Sequence, residues 1–411
     1  MKFNAISPKS AAPTDRKTTG ILKVVLDYHY VRVGDHYYTD LAFDYAFWRE
    51  FLEIFDQVEP IARVRCAATV SPGWIRADGP GVVFHPVADY RGLWSFLRRS
   101  PRVLRDCFRW ASLPGVILLR TGNLSSFCSL KLWLSRRPYA MEILGHAGES
   151  SARVKNVQFL GLGQLIGWIT HRVCRIVAAR AACANYVSKS LQRLYPTRSG
   201  QEWVFSDVRL PVEAFAPVRP AQSFERRPLR LVTVGRLEPE KAYDVLIRAM
   251  SELTRQGMPD LEVMIVGDGS QMDYLRRLAG ELGLERRVKL PGRVPPGEAL
   301  QRLLDESDVF VLPSLTEGMP RALLEAMARG LPAVASKVGG VPELLAEAET
   351  VPPGDVGALA QCLARCLGDP QRLAALSRRN VGVAQDYRLD VLEQRKLAFW
   401  RCIAATAPYG R

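Results

Sequence analysis

The chain has 411 residues, a formal net charge of +14 and an isoelectric point near 9.6. Apolar residues make up 48% and charged residues 24%, which excludes a disordered chain, and the length is too great for one ordinary core. No run of about 18 apolar residues is present, so the sequence predicts no helix that crosses a bilayer. The positive charge favours anionic partners such as nucleic acid, phosphorylated ligands or an anionic membrane surface.

Eight cysteines are scattered along the chain without a C-x-x-C pair. We therefore expect neither a zinc site nor a disulfide framework, but reduced and mostly buried thiols in a cytosolic protein. Residues 1–20 lack the apolar core of about 7–15 residues that marks a signal peptide, and we expect a flexible tail there.

Residues 21–215 alternate between predicted strands and predicted helices. The strands are ILKVVLDY, IARVRCAATV, GVVFHPVADY, GVILLRTG and PYAMEILGH. A loop, YHYVRVGDHYYTD, is expected after the first strand, Pro101 is expected to break the helix GLWSFLRRSPRVLRDCFRWA, and a long helix is predicted over 156–185. The first fifteen positions of that helix, 156–170, carry no charge and either pack in the core or contact a membrane. The alternation predicts a parallel sheet covered on both faces, and hence a first Rossmann-like domain.

The Pro-rich segment 216–229 is predicted to be a linker, because the alternation restarts after it. New strands follow at LRLVTVGRL, LEVMIVGDG, RVKLPGRV, VFVLPS and LPAVAS, with helices between them. Residues 230–385 therefore form a second predicted Rossmann-like domain, and 386–411 end in a helix expected to pack back toward the first. Two doubly wound α/β domains of this kind would face an interdomain cleft, where the carboxyl ends of the strands bind ligands.

The segment TEGMPRALLEAMARG contains two carboxylates eight positions apart. Pro320 suits the first turn of a helix and Gly330 suits its end, so a helix is predicted over 320–329. The N-terminus of that helix would attract a diphosphate. Glu317 could then accept hydrogen bonds from sugar hydroxyls, and Glu325 from the two hydroxyls of a ribose. The alternative is that Glu317 caps the helix and Glu325 faces solvent.

The segment VTVGRLEPEKAYDVLIRAM contains a buried strand that ends at Gly235, followed by two cations. Arg236 and Lys241 could neutralise a diphosphate, although both could also be solvated charges near a turn. In VGDGS, Gly267 and Gly269 permit close backbone approach at a strand end. The chain contains no D-x-D pair to hold Mg²⁺, so we expect basic residues to stabilise a departing phosphate.

Together these motifs resemble the retaining glycosyltransferases of family four, which have the GT-B fold. The matching segments, in order and spacing across about 229–345, are VGRLEPEKAYDVLI, IVGDG, LPGRV and PSLTEGMPRALLEAMARGLPAVAS. The resemblance implies that Glu317 contacts the donor sugar, that Glu325 contacts the ribose, and that the diphosphate lies against Arg236 and Lys241. It further implies donor contacts at Gly235, Gly267, Val294, Gly318 and Met319. Ala242 stands where the family often has glycine.

The N-terminal half resembles the family more loosely. Its segments GDHYYTDLAFDYAFWREFL, YAMEILGH, NYVSKSLQRLYP and FSDVRLP look like those of transferases from bacterial surface-polysaccharide clusters. His146 stands where the family often has a histidine that meets the donor sugar, although a lone histidine is often structural. The loop after the first strand contains only Gly34, where the family often has a glycine-rich turn. The catalytic set implied by the resemblance is Glu317, Lys241, Arg236 and His146.

The implied activity is retaining transfer of a sugar from a UDP- or GDP-sugar to a hydroxyl of a glycan or a polyprenyl-diphosphate-linked acceptor in polysaccharide biosynthesis. We expect no metal and no other cofactor. The charge, the arginine-dense stretch LRRSPRVLRDCFRW and the uncharged stretch 156–170 predict a cytoplasmic protein peripherally attached to the inner face of the cell membrane. The alternatives are a nucleotide-sugar epimerase or phosphorylase of the same fold, or a basic nucleic-acid-binding protein. The last lacks an RNP, zinc-finger or helix-turn-helix signature, and no nucleic-acid partner is expected.

Overall fold

A computed structural model describes residues 20–40, 42–90, 92–148, 163–258, 260–295 and 297–406. Nearly all of the predicted N-terminal tail and the start of the helix predicted over 156–185 lie outside these residues. The strands are β1 (Ile21–Val33), β2 (His36–Thr39), β3 (Gln57–Cys66), β4 (Ile75–Arg76), β5 (His85–Ala88), β6 (Val116–Arg120), β7 (Ala140–Ile143), β8 (Cys183–Tyr186), β9 (Glu202–Val204), β10 (Leu229–Val234), β11 (Leu261–Val266), β12 (Val288–Gly292), β13 (Val309–Leu312), β14 (Ala333–Ser336) and β15 (Thr350–Val351). The α-helices are α1 (Tyr45–Phe51), α2 (Leu93–Ser112), α3 (Asn123–Leu134), α4 (Gly163–Ala179), α5 (Lys189–Leu194), α6 (Tyr243–Arg255), α7 (Met272–Glu281), α8 (Glu298–Asp305), α9 (Arg321–Ala328), α10 (Val341–Leu344), α11 (Val356–Leu367), α12 (Pro370–Gln385) and α13 (Leu389–Ala405).

The N-terminal sheet is built from parallel strands in the order β5-β3-β1-β6-β7-β8-β9. Its interior strand β1 is apolar at Leu22, Val24 and Val25, all of which are fully buried. The connection from β1 to β3 moves in one direction across the sheet. The connections from β5 to β6, from β6 to β7 and from β7 to β8 all move in the opposite direction. Right-handed crossovers therefore place α2, α3 and α4 on one face and α1 on the opposite face.

The loop predicted after the first strand is wrong, because that segment forms a β-hairpin. Strand β1 continues to Val33 and pairs antiparallel with β2, with Val31 opposite Tyr38. The turn places Gly34 at a φ of 59°, a left-handed conformation that glycine adopts without strain. The pairing gives these residues backbone hydrogen bonds that an open loop would leave to water.

The break predicted at Pro101 is also wrong, because α2 continues through this residue. A proline inside a helix removes the amide that would bond to the carbonyl four residues earlier. That carbonyl belongs to Leu97, and the Ser100 hydroxyl donates to it at 2.9 Å. The side chain of the neighbouring serine thus supplies the missing bond locally.

The helix predicted over 156–185 ends earlier than expected, at Ala179. Residues 183–186 are instead strand β8, which pairs with β7 in parallel, and all four of its residues are buried. The Ala182 amide already donates to the Tyr139 carbonyl at 2.9 Å. Sheet pairing of residues 183–186 therefore overrides the helical pattern at the end of this segment.

The C-terminal sheet has six parallel strands in the order β12-β11-β10-β13-β14-β15. This is the doubly wound order in which the first and fourth strands are neighbours. The connections after β10 and β13 leave toward opposite faces, which opens a crevice at the carboxyl ends of these two strands. The predicted α/β class with two Rossmann-like sheets is confirmed.

The last helix, α13, packs against the N-terminal sheet rather than the sheet that precedes it in sequence. The Trp400 ring lies 4.7 Å from the Phe51 ring, and the Phe399 ring lies 5.5 Å from that of Trp203.

Residues 216–229 pack on the C-terminal sheet domain, where the Arg219 guanidinium donates to the Leu304 carbonyl at 3.0 Å.

All eight cysteines are free, and six of them are buried. The expectation of unpaired and mostly buried thiols is confirmed. These side chains act as small apolar groups of the two cores.

Candidate active site

The loops that follow strands β10 and β13 of the C-terminal sheet bring a lysine ammonium and a glutamate carboxylate together. The Lys241 ammonium lies 2.6 Å from Glu317 Oε1, and the Ser314 hydroxyl donates to the same oxygen at 2.7 Å. Only 19% of the lysine side chain and 10% of the glutamate side chain are exposed. These two groups are therefore not solvated surface charges, and a carboxylate so buried requires the partners that it has here.

Arg236 follows strand β10, as Lys241 does, but it lies at the solvent-exposed rim of the Lys241–Glu317 pair. Its guanidinium contacts Glu240 Oε1 at 3.1 Å, and 65% of its side chain is exposed. The Leu315 amide donates to the Glu240 carbonyl at 2.8 Å, which fastens the two loops to each other. Arg236 is placed where it can reach a ligand from the solvent side.

Helix α9 starts beside this pair, with Pro320 in the capping position and no side chain bonded to its first amides. Glu317 therefore does not cap the helix, contrary to the alternative considered for it. Gly330 ends the helix at a φ of 71°, as its sequence position predicted. The free amides and the positive end of the helix dipole make this N-terminus suitable for an anion.

The loop between Glu317 and α9 touches the N-terminal domain. A Cβ added to Gly318 would lie 2.1 Å from the Leu144 carbonyl oxygen, so only glycine fits there. Met319 is buried, and the Gly340 amide donates to the Gly318 carbonyl at 2.7 Å. We missed Ser314 and Gly340 in the sequence, although the first precedes Glu317 by three positions and the second belongs to a V-G-G turn.

The other predicted glycines pack the loops against each other. Gly267 has a φ of 146°, and a Cβ on it would lie 1.8 Å from the Gly235 carbonyl oxygen. Tyr243 closes the opposite side, because its hydroxyl would lie 2.6 Å from a Cβ on Gly235. Val294 is partly buried and packs against the core near the end of β12. Each of these residues shapes the strand ends that frame the crevice.

Glu325 lies in helix α9 and lines a cavity of about 550 Å³ between the two domains. Burial raises the pKa of Glu325 above its ordinary value, and the neighbouring Arg321 only partly opposes this shift. The suggestion that Glu325 faces bulk solvent is therefore wrong. The wall contributed by the C-terminal domain includes Gly297, Leu300, Arg321 and Glu325.

The opposite wall of this cavity contains charged groups that the sequence analysis missed. Arg120 ends β6 and Glu142 lies in β7, and their side chains form a buried ion pair with Nε and Oε2 2.9 Å apart. Burial raises the pKa of Glu142, although Arg120 opposes the shift. The available signal was a charged residue inside each of the apolar strands VILLR and AMEI. Lys241 and Glu317 do not line this cavity.

His146 lines a second cavity, of about 360 Å³, that lies within the N-terminal domain. Its ring stacks on His171 with centroids 5.5 Å apart. Asp27, Asn123 and Thr170 share this cavity, which is therefore rich in groups that bind hydroxyls. The structure does not bring His146 into the cavity that Glu325 faces, but Leu144, two positions earlier, touches Gly318.

Within the described ranges, no group of three His, Cys, Asp or Glu side chains is placed to hold a metal ion. The same residues contain no helix long and apolar enough to cross a membrane.

Two facing doubly wound sheets, with the uncapped N-terminus of α9 at the crevice, define a protein of the GT-B fold. Residues 217–381 match the model of the family described as glycosyl transferases group 1. The structure is similar to the crystal structure of Anabaena HepE in complex with UDP, with a TM-score of 0.61 and 19% identity over 92% of this chain and 98% of that one. The predicted fold and family resemblance are confirmed.

Two curated relatives are each similar to part of this chain. The amylovoran biosynthesis glycosyltransferase AmsK of Erwinia amylovora is 43% identical over 148 residues, which are 34% of this chain and 36% of the relative. A GDP-mannose-dependent alpha-(1-6)-phosphatidylinositol monomannoside mannosyltransferase of Mycolicibacterium smegmatis is 32% identical over 237 residues, 52% of this chain and 61% of the relative. The chain thus matches less than two thirds of the length of either relative.

Proposed function

We propose that the chain is a retaining, metal-independent glycosyltransferase of polysaccharide biosynthesis. It moves a sugar from a nucleotide-diphosphate sugar to a hydroxyl of a glycan or of a lipid-linked oligosaccharide. The observation that supports this most strongly is the buried Lys241–Glu317 pair beside the uncapped N-terminus of α9. Cations and free amides converge there on the space that a diphosphate would occupy.

The roles of the residues follow from their positions. Lys241 and the first amides of α9 stabilise the negative charge that develops on the departing diphosphate, and Arg236 adds a cation from the rim. Glu317 is held by Lys241 and Ser314, so its second oxygen can accept from a sugar hydroxyl. Glu325 accepts from the ribose. Basic groups thereby do the work that a divalent metal does in other sugar-nucleotide enzymes.

The names of the similar proteins support the same class of substrates. HepE was crystallised with UDP, the mycobacterial relative is named for GDP-mannose, and AmsK is named for amylovoran biosynthesis. These names support a UDP- or GDP-sugar as the donor, and a bacterial polysaccharide or glycolipid intermediate as the acceptor. The similar proteins named above include no epimerase, phosphorylase or nucleic-acid-binding protein.

The first test is a thermal-shift panel of UDP- and GDP-sugars with and without EDTA. A donor at about 100 times its Kd should stabilise the folded state by about 2.7 kcal/mol, because it binds that state and not the unfolded chain. Product analysis with an acceptor then separates transfer from epimerisation of the donor or phosphorolysis. Absence of a shift with every donor, or loss of the shift with EDTA, would contradict the proposal.

Glu325→Gln is expected to weaken donor binding by about 10–100-fold, since a hydrogen bond to a charged group is lost. The raised pKa of Glu325 also predicts that wild-type affinity falls with decreasing pH at values above the ordinary carboxyl value of 4.5. The sign follows because protonation removes an acceptor for the ribose hydroxyls. The glutamine variant should lack this dependence, as measured by calorimetry across pH.

Glu347→Gln is the matched control, because Glu347 is an exposed carboxylate that pairs with Lys337 on the surface. It should keep the wild-type affinity and pH profile. If both variants bind the donor alike, Glu325 has no role at the ribose.

A further inference from the structure

Three neighbouring helices, α2, α3 and α4, cover one face of the N-terminal sheet. Helix α3 packs against both of the others. The opposite face of the sheet carries α1 and α13, which meet through Phe51 and Trp400. The outer surfaces of α2, α3 and α4 therefore form one continuous face of the molecule, which we call the three-helix face.

Large apolar side chains are concentrated on the three-helix face. Of fifteen strongly exposed large apolar residues in the described chain, nine lie here: Trp94, Leu97, Leu104, Leu130, Leu134, Leu165, Trp168, Ile169 and Ile176. Trp94 is 73% exposed and Trp168 is 58% exposed. Scattered apolar residues are normal on a surface, but such a cluster with two tryptophans marks an interaction site.

The same face is basic. Helices α2, α3 and α4 contain eight Lys or Arg residues and one carboxylate, Asp106. Asp106 is already paired with Arg105. Arg98, Arg102 and Arg175 are exposed and form no ion pair with any residue that the structure describes. The face therefore offers unneutralised positive charge around its apolar groups.

Five of the nine exposed apolar residues lie in the first turns of α2 and α4. Each helix begins after the carboxyl end of a parallel strand, so its first turns lie at the cleft edge of the sheet. Trp94 and Leu97 belong to the first five residues of α2, and Leu165, Trp168 and Ile169 to the first seven of α4. The arginines of both helices follow these turns, with Leu104 and Ile176 among them. Leu165, Trp168 and Ile169 are exposed, whereas Gly163 and Gly167 of the same uncharged stretch are buried, so only one side of this helix packs inward.

Such an apolar edge with arginines behind it matches the cross-section of an anionic bilayer. Tryptophans settle at the level of the headgroups, while arginines extend toward the phosphates. A second copy of the chain is a poorer occupant, because a twofold contact would place the cations of this face against themselves.

We propose that the three-helix face docks the protein onto an anionic membrane, with Trp94 and Trp168 inserted at the interface. Arg98, Arg102 and Arg175 contact lipid phosphates, and Arg172 does so from above the Trp168 ring, 5.3 Å away. This inference rests on the proposed function in one respect: docking at the cleft edge brings the crevice to the head of a lipid-linked acceptor.

The test is co-sedimentation of the full chain with vesicles of neutral phosphatidylcholine, alone or with about one third phosphatidylglycerol. We expect binding at low salt to favour the anionic vesicles by at least tenfold, and to weaken steeply in high salt. Trp94→Ser with Trp168→Ser, and separately Arg98→Glu with Arg102→Glu, should each lower vesicle partition by about tenfold or more. The matched control is Val212→Ser with Tyr274→Ser, two exposed apolar residues elsewhere, which should bind as wild type.

Circular dichroism and the donor thermal shift confirm that each variant is folded. Lack of wild-type binding to anionic vesicles, or equal binding by wild type and both variants, would overturn the proposal. A dimer in light scattering that disappears in the tryptophan variant would overturn it in favour of self-association. Sugar transfer to a water-soluble acceptor should persist in the tryptophan variant, so failure of docking and failure of the proposed activity give different results.

Discussion

Lys241→Ala is expected to lower kcat for sugar transfer by about 10²–10³-fold, as loss of one preorganised electrostatic group does. Only 19% of the lysine side chain is exposed, so water replaces its charge poorly. Arg236→Ala should cost less, because 65% of that side chain already lies in solvent. Steady-state kinetics with a saturating donor measure both effects.

Lys241→Ala also removes the partner of a buried carboxylate, so its effect must be separated from damage to Glu317. The double variant Lys241→Ala with Glu317→Gln removes both charges. If Lys241 only neutralises Glu317, the double variant should transfer sugar as fast as Glu317→Gln alone. If Lys241 stabilises the diphosphate, the double variant should be much slower than Glu317→Gln alone. Parental kcat in Lys241→Ala would refute the assigned role.

Lys23→Met is expected to lower the free energy of unfolding by about 3–5 kcal/mol, since it leaves a buried carboxylate without its cation. Lys23 is 1% exposed and pairs with Glu59, which also contacts His85 Nε2 at 2.7 Å. Burial would raise the pKa of Glu59, but bonds from Lys23 and His85 outweigh it and the pKa lies below its ordinary value. Urea unfolding followed by circular dichroism measures the loss.

The sign of the pH dependence follows from that lowered pKa. The ionised Glu59 stabilises the fold above the ordinary carboxyl value of 4.5, and this contribution is lost as pH falls through the lower folded value. The difference between wild type and Lys23→Met should therefore shrink in acid.

Two further variants control the Lys23 result. Lys289→Ala breaks an exposed pair with Glu262, at 2.7 Å, and should cost less than about 1 kcal/mol. Lys23→Met with Glu59→Leu should recover part of the loss, because no buried charge is then left unpaired. An equal loss in the two single variants would mean that burial of the pair has no energetic consequence.

The C-terminal domain was predictable because its signals are local. Glycines at strand ends, a proline before α9 and a glycine after it each reflect the backbone conformation of a few neighbouring residues. Their order along the chain also predicted the two sheets and the strand ends that frame the crevice. Local patterns failed where neighbouring groups compensated, as at Pro101, whose lost bond is supplied by Ser100.

The sequence by itself determined the fold class, the family that the C-terminal domain resembles and the residue types of the candidate site. Only the tertiary structure decided that Lys241 pairs with Glu317, 76 positions later, that Arg120 and Glu142 face Glu325 across a cavity, and that the apolar and basic residues of α2 and α4 share one surface. The physical reason is the range of the interactions. Turns and helix ends depend on adjacent residues, whereas burial and charge pairing depend on which distant segments the sheets bring together.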